Sequence, residues 1–308
     1  MNLFYKTLDC VFLVRPMLLL PAWIFYLAGL WSAGRHSVQT PGHPAPAVWT
    51  GLGLTAVMGA VYILNQIQDV ETDRLNRKLF LISEGHVPVR RAWLEAGLLL
   101  FAGLFLGFQT GLRAGVLLLS LFLLTGWAYS FPPARFKDRP VASLIVNGAG
   151  GLVIASLGWA AGGGPGWVPL RSAVYFFACA SVSFNTMLPD MRGDRASGKI
   201  TFAVRYGLRR TVFWALVFEC ATVILAWAFR EWILFYPALV MLPFFIYALS
   251  RKTVDEVIRA TKYSVVAMAA AVCAAYPWFP IPVSAVFFGS RFYYKARFGL
   301  EYPSLKSS

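Results

Sequence analysis

Two short stretches of the chain place carboxylates four residues apart. The first reads Asn65-Gln-Ile-Gln-Asp69-Val-Glu-Thr-Asp73-Arg74 and the second Asp190-Met-Arg-Gly-Asp194-Arg195. On a helix that spacing stacks side chains on one face, so Asn65, Asp69 and Asp73 are expected to form one oxygen-rich stripe and Asp190 and Asp194 another. Each stripe suits a hard cation. Mg2+ takes one or two carboxylates and completes its shell with waters and phosphate oxygens, and neighbouring Arg and Lys side chains absorb the remaining phosphate charge. A magnesium-bridged diphosphate is the ligand that this pattern implies.

The two stretches also align with each other. Asp69 matches Asp190, Asp73 matches Asp194, Arg74 matches Arg195 and Lys78 matches Lys199, all at an offset of 121 residues. Four polar matches at one offset suggest an internal pseudo-repeat whose carboxylates converge on one cavity. Read singly, either motif could be a solvated helix end with its acids paired to adjacent bases. As a matched pair at the ends of apolar segments they point to function, because carboxylates beside a bilayer are costly to keep.

The elements that must position these residues are membrane helices. Of 308 residues, 58% are hydrophobic and 14% charged, where soluble chains carry roughly a quarter charged. Apolar runs near the ~20 residues needed to cross a bilayer recur at 11–31, 47–68, 93–110, 112–131, 142–162, 167–189, 211–229, 232–250 and 264–285. The expected fold is therefore all-α, a polytopic membrane bundle of about nine transmembrane helices, with residues 1–308 forming one membrane domain. The runs meeting at Gly111 to Arg113 require a very tight turn. The last is interrupted by Pro277, Pro280 and Pro282.

The net charge of +14 is distributed by loop, which argues for membrane topology and against nucleic acid as a partner. Basic residues collect before the first run (Lys6, Arg15) and after the second, fourth, sixth and eighth. The alternate loops hold only Arg35, Arg113, Arg171 and Arg230. By the positive-inside rule the aspartate motifs face the cytoplasm, as in a bacterial-type cytoplasmic membrane. Nine crossings would then leave Arg291, Lys295 and Arg297 outside, against the rule, unless the tail is interfacial or the ninth run does not cross. The first run, followed by small residues, resembles a signal peptide, but its length and its Arg15-Pro16 fit a retained helix better. Cys10, Cys179, Cys220 and Cys273 lack metal-type spacing and read as small apolar fillers. His36, His43 and His86 also lack it, with His86 a weak acid-base candidate on the reactive face.

Asn65xxxAsp69xxxAsp73 with Asp190xxxAsp194 resembles the UbiA-type family of intramembrane prenyltransferases. Arg15-Pro16 resembles that family's first-helix arginine, and Tyr129-Ser130-Phe-Pro132-Pro133-Ala-Arg135-Phe-Lys137 its loop after the fourth span. The stretch from Asp190 to Gly207, with GDxxxGKxT and a later Arg-Tyr-Gly, resembles the loop after the sixth. One departure is the run Leu79 to Ile82, where many relatives carry Asn-Lys-Pro or Asn-Arg-Pro; it leaves the branch of the family open.

The resemblance implies nine helices around a central cavity lined by both aspartate motifs. It also implies transfer of an isoprenyl group from a polyprenyl diphosphate to an aromatic or lipid-like acceptor within the membrane, releasing diphosphate. Electrostatic stabilisation of the leaving group is what such a site must supply. Asn65, Asp69 and Asp73 are assigned to one Mg2+, and Asp190 and Asp194 to a second. Arg15, Arg74, Lys78, Lys137, Arg195 and Lys199 are candidates for the diphosphate, with Lys137 and Lys199 the preferred pair. Each of these could equally set topology or contact lipid headgroups. Tyr129 could face the allylic cation and the phosphate, or belong to an interfacial aromatic belt. Asn147 could touch a ligand or bond across helices. Two other classes compete. A polytopic secondary transporter would hold its ionisable residues near the bilayer midplane, whereas these carboxylates sit at span ends. A CDP-alcohol-type phosphotransferase would carry a DGxxAR lead-in, which is absent.

Overall fold

The structure, a computed structural model, describes residues 3–36, 45–75 and 80–303, and these are helical with no strand among them. In chain order the helices are α1 (Leu3–Leu13), α2 (Pro16–His36), α3 (Ala45–Gln68), α4 (Val70–Leu75), α5 (Phe80–Ser83), α6 (Val89–Thr110) and α7 (Leu112–Leu121). A π-helical turn, Phe122–Ala128, extends α7. Then follow α8 (Ala142–Ala161), α9 (Ala173–Thr186), α10 (Met191–Ala196), α11 (Phe202–Ala228), α12 (Trp232–Arg251), α13 (Val254–Ala275) and α14 (Pro280–Phe298).

Seven helices are long and apolar enough to cross a membrane, namely α2, α3, α6, α8, α11, α12 and α13, each overlapping one of the expected runs, while Leu112–Ala128 is a shorter apolar helix. The run at 167–189 contracts to the 14 residues of α9. Small residues let these helices approach backbone to backbone, the usual device where lipid removes any hydrophobic drive between them. A Cβ on Gly29 of α2 would overlap the Ala155 carbonyl of α8, and one on Gly158 of α8 would overlap the Tyr26 carbonyl of α2. The turn from α6 to α7 is a single residue, Gly111, at φ 146° and ψ 157°, a conformation that glycine supplies readily. The outer surface is apolar, with Leu98, Phe101, Ile224, Trp227, Val240 and Phe288 exposed. It is the surface a multi-pass membrane protein presents to lipid.

The geometry separates two ends of the bundle. At one end Arg113 donates to the Gly164 and Gly166 carbonyls, and Arg171 and Ser32 bind Glu231. Both aspartate motifs lie at the other.

Two helix ends differ from expectation. The first run does not begin within one helix, because the chain breaks at Arg15, which sits at φ 56° between α1 and α2. More consequentially, the run at 264–285 straddles two helices. The chain turns at Tyr276 to Phe279, and α14 starts on Pro280, whose fixed φ suits a first helical position. The start of α14 packs on the core around α2 through Phe279 and Val283. Its far end reaches α1, where Phe12 stacks on Tyr293 at 3.9 Å and Asp9 accepts from the Tyr293 hydroxyl at 2.7 Å. Arg291, Lys295 and Arg297 therefore return to the aspartate end. Of the alternatives left open by the charge pattern, a tail on the opposite side is the one this path does not support.

Candidate active site

Asp69 occupies the break between α3 and α4, where its N–H still bonds the Asn65 carbonyl at 3.0 Å and its own carbonyl accepts from Asp73 N–H at 2.7 Å. The spacing of four thus survives the break. Asp190 and Asp194 repeat the arrangement at the start of α10, with Asp194 N–H on the Asp190 carbonyl at 2.9 Å. The short helices α4 and α10 pack against each other, so the two halves of the pseudo-repeat meet.

At their junction Asp69 Oδ1 accepts from two ammonium groups, Lys137 Nζ at 2.9 Å and Lys199 Nζ at 2.6 Å. Lys137 is delivered by the 3-10 turn Phe136–Asp138, which follows Arg135 in left-handed conformation and is braced by the Arg135 to Asp138 ion pair at 2.7 Å. Lys199 is delivered by Gly198 at φ 75°, which closes α10 and lets Lys199 N–H reach the Asp194 carbonyl at 2.9 Å. Glycine takes that conformation without strain. Burial pushes the Asp69 carboxyl upward, but the Lys137 and Lys199 charges outweigh it and hold the group below the usual carboxylate range. Burial pulls the Lys137 ammonium down, and Asp69 opposes it. One carboxylate between two ammoniums leaves net positive charge, which is what a diphosphate requires.

Behind this cluster lies a cavity of about 550 Å³. Its mouth is lined by Arg15, Asn65, Asp69, Tyr129, Lys137, Asp190, Asp194 and Lys199, and its body by apolar residues such as Phe25, Met58, Leu121, Ile154, Met241 and Met268. Tyr129 follows the π-helical turn, and its hydroxyl faces Asn147, which also lines the cavity. π-turns recur at functional sites because they re-aim the side chains beyond them. Asn65 donates to Ser130 Oγ at 3.3 Å, tying the first motif to the tyrosine loop.

The remaining expected residues fall elsewhere. Asp73 is buried but does not line the cavity. Arg74 turns away to the Ser83 carbonyl at 2.8 Å, and Arg195 is exposed outside the cavity lining. Lys78 and the start of the Leu79 run lie outside the described residues, as do the side chains of His36 and His43. His86 pairs with Glu84 at 3.7 Å and packs on Phe298, apart from the cavity, so it has no place in acid-base chemistry there. Glu219, which the motifs did not flag, lines the cavity from the middle of α11. Its signal was available as one acidic residue inside a long apolar helix.

Among the described residues no group of three or more His, Cys, Asp and Glu side chains is gathered tightly enough to hold a metal. The oxygen donors present, Asn65, Asp69, Asp190 and Asp194, nevertheless fit Mg2+, which relies on few carboxylates and completes its shell with ligand phosphates.

Residues 22–259 match the family model described as the UbiA prenyltransferase family. A 2-acylphloroglucinol 4-prenyltransferase of Humulus lupulus is 31% identical over 176 residues, 51% of this chain and 41% of the relative. A homogentisate phytyltransferase of Synechocystis sp. is 31% identical over 208 residues, 63% of this chain and 65% of the relative. The chain thus spans between about two fifths and two thirds of the length of these relatives. Among solved structures, a UbiA homolog from Archaeoglobus fulgidus bound to GPP and Mg2+ superposes with a TM-score of 0.66 at 20% identity, covering 86% of this chain and 99% of that one.

Proposed function

Because the chain belongs to the UbiA prenyltransferase family, we propose that it transfers an isoprenyl group from a prenyl diphosphate to an electron-rich acceptor within the membrane. The observation that carries this reading is Asp69 held between Lys137 and Lys199 at the mouth of an apolar cavity. A prenyl diphosphate has that polarity, with a multiply charged head and a hydrocarbon tail. The homologous structure that binds GPP and Mg2+ supports it.

The allylic carbon–oxygen bond breaks, its electron pair leaves with the diphosphate, and the resulting cation is captured by the acceptor, which then loses a proton. Lys137, Lys199 and Arg15 stabilise the departing charge, and Tyr129 presents its ring near the cation. Asn65 with Asp69, and Asp190 with Asp194, are the residues that would hold Mg2+, two ions in all. Bound there, the metal would neutralise diphosphate charge and fix its orientation. The aspartate end faces the cytoplasm, as its excess of Lys and Arg favours, in a bacterial-type cytoplasmic membrane whose lipids surround the bundle.

The test is incubation of purified protein with prenyl diphosphates of several lengths and a panel of acceptors, with and without Mg2+, following diphosphate release and prenylated product together. Transfer that disappears on chelation and falls by about 10²-fold or more in Asp69→Asn or Asp190→Asn is expected. Full transfer by either variant at limiting Mg2+ would refute the assignment.

A further inference from the structure

Arg15 reaches the cavity mouth from a strained corner. It lies between the end of α1 at Leu13 and the start of α2 at Pro16, at φ 56°. For a residue with a side chain that left-handed conformation is costly and persists only where the surroundings impose it. Its N–H bonds the Phe12 carbonyl at 3.1 Å, and its own carbonyl accepts from Leu18 N–H at 2.8 Å. The side chain lines the cavity, and among the described residues no carboxylate pairs with it.

The surroundings that impose the corner come from α14. Phe12, three residues before Arg15, is 8% exposed. Tyr293 stacks on its ring at 3.9 Å, and Tyr294 meets it edge-on at 5.9 Å. Gly299, at φ 70°, then turns the chain back, so that Leu300 N–H bonds the Tyr294 carbonyl at 3.2 Å and Tyr302 packs edge-on against Tyr294 at 5.1 Å. The Arg15 guanidinium lies near enough to the Tyr294 and Tyr302 hydroxyls for its charge to act on both. The residues matching the family model, 22–259, include neither α1 nor α14.

We propose that α14 positions Arg15, its tyrosine rings holding the end of α1 so that the guanidinium faces the diphosphate head of the donor. Tyr293 and Tyr294 line no part of the cavity and act through the arginine. A guanidinium whose corner is already fixed binds an anion more tightly, because less freedom is lost on binding. This rests on the assignment of Arg15 to the diphosphate and adds what sets its strength. By linkage, diphosphate held at Arg15 stabilises the seat of α14 in turn.

The test is a double-mutant cycle on the whole chain, read as affinity for inorganic pyrophosphate at fixed Mg2+. Arg15→Gln is expected to weaken binding about tenfold or more, as loss of a charged hydrogen-bond donor does. Tyr294→Ala should weaken it about fivefold in the wild-type background and less than about twofold on top of Arg15→Gln, because its effect passes through the arginine. Tyr294→Phe, which keeps the ring against Phe12, should stay within about twofold of wild type. Tyr294→Leu replaces the alanine variant if that one does not fold. At saturating pyrophosphate, tryptic cleavage at Lys295 and Arg297 should slow in the wild type and not in Arg15→Gln. Equal losses in the two backgrounds, full affinity in Tyr294→Ala, or protection that survives Arg15→Gln would overturn the proposal while leaving Arg15 a diphosphate ligand. No pyrophosphate binding by the wild type, or undiminished binding by Arg15→Gln, would instead sink the diphosphate assignment of Arg15, and the proposal with it.

Discussion

Two ammoniums converging on one carboxylate oxygen carry a net positive charge that a phosphate anion can complete. Lys137 is 5% exposed. Burial, together with the charge of Lys199, pulls it below the ordinary lysine range, while Asp69 and Asp138 act in the opposite direction. The sign follows for catalysis. Only protonated Lys137 attracts the diphosphate, so donor affinity is complete below its lowered pKa and is lost as pH rises through it, earlier than for an ordinary lysine. Lys137→Arg keeps its charge at any accessible pH and should carry the alkaline limb of kcat/KM for geranyl diphosphate to higher pH. Lys137→Gln should lower kcat/KM about 10²-fold throughout. Profiles for wild type and Lys137→Arg that superimpose would show that Lys137 does not titrate in the reaction. Arg74 and Arg195 illustrate the limit of reading such residues from sequence. Each directly follows a motif carboxylate, but neighbours on a helix lie about 100° apart around its axis, and neither lines the cavity.

At the scale of elements, the joint between α1 and α14 is held by a buried acid. Asp9, 1% exposed, accepts from Tyr293 and from Arg297 Nε at 3.2 Å and Nη2 at 3.3 Å. Removing one partner of a buried ion pair costs roughly 3 kcal/mol because the other charge stays behind. Asp9→Ala should therefore loosen the end of α14, raising its opening equilibrium about 10²-fold and speeding tryptic cleavage at Lys295 and Arg297 while leaving the other helices protected. Unchanged cleavage would mean that the ring contacts of Phe12 and Tyr293 suffice. The break before α14 was hard to read, because Pro277, Pro280 and Pro282 mark equally a kinked helix and a new start. Only the contacts of Tyr293 with Phe12 and Asp9 decide between them. The tight α6 to α7 turn was legible, since a single glycine between two long apolar runs leaves few backbone solutions.

Across the whole molecule, the path of α14 removes the one conflict between charge and topology. The bundle, the pseudo-repeat and most of the cavity mouth could be read from sequence because charges are rare in an apolar chain and therefore conspicuous. The walls of the cavity could not, since lipid-facing and cavity-facing apolar residues look alike, and Glu219 escaped because it stands outside any motif. With α14 returning, Arg291, Lys295 and Arg297 join the loops that carry both aspartate motifs, and the opposite end keeps Arg113, Arg171 and Arg230. Single cysteines introduced as Glu84→Cys, Glu301→Cys and Trp167→Cys, all at exposed positions, in a background without the native four would report this directly. In intact cells an impermeant thiol reagent should label Trp167→Cys and spare the other two, and in inverted vesicles the pattern should reverse. Labelling of Glu301→Cys together with Trp167→Cys would place the tail on the far side and break the pairing of α14 with α1. Labelling of Glu84→Cys from outside would invert the whole bundle, because the loop after the first aspartate motif and the mouth of the cavity share one end.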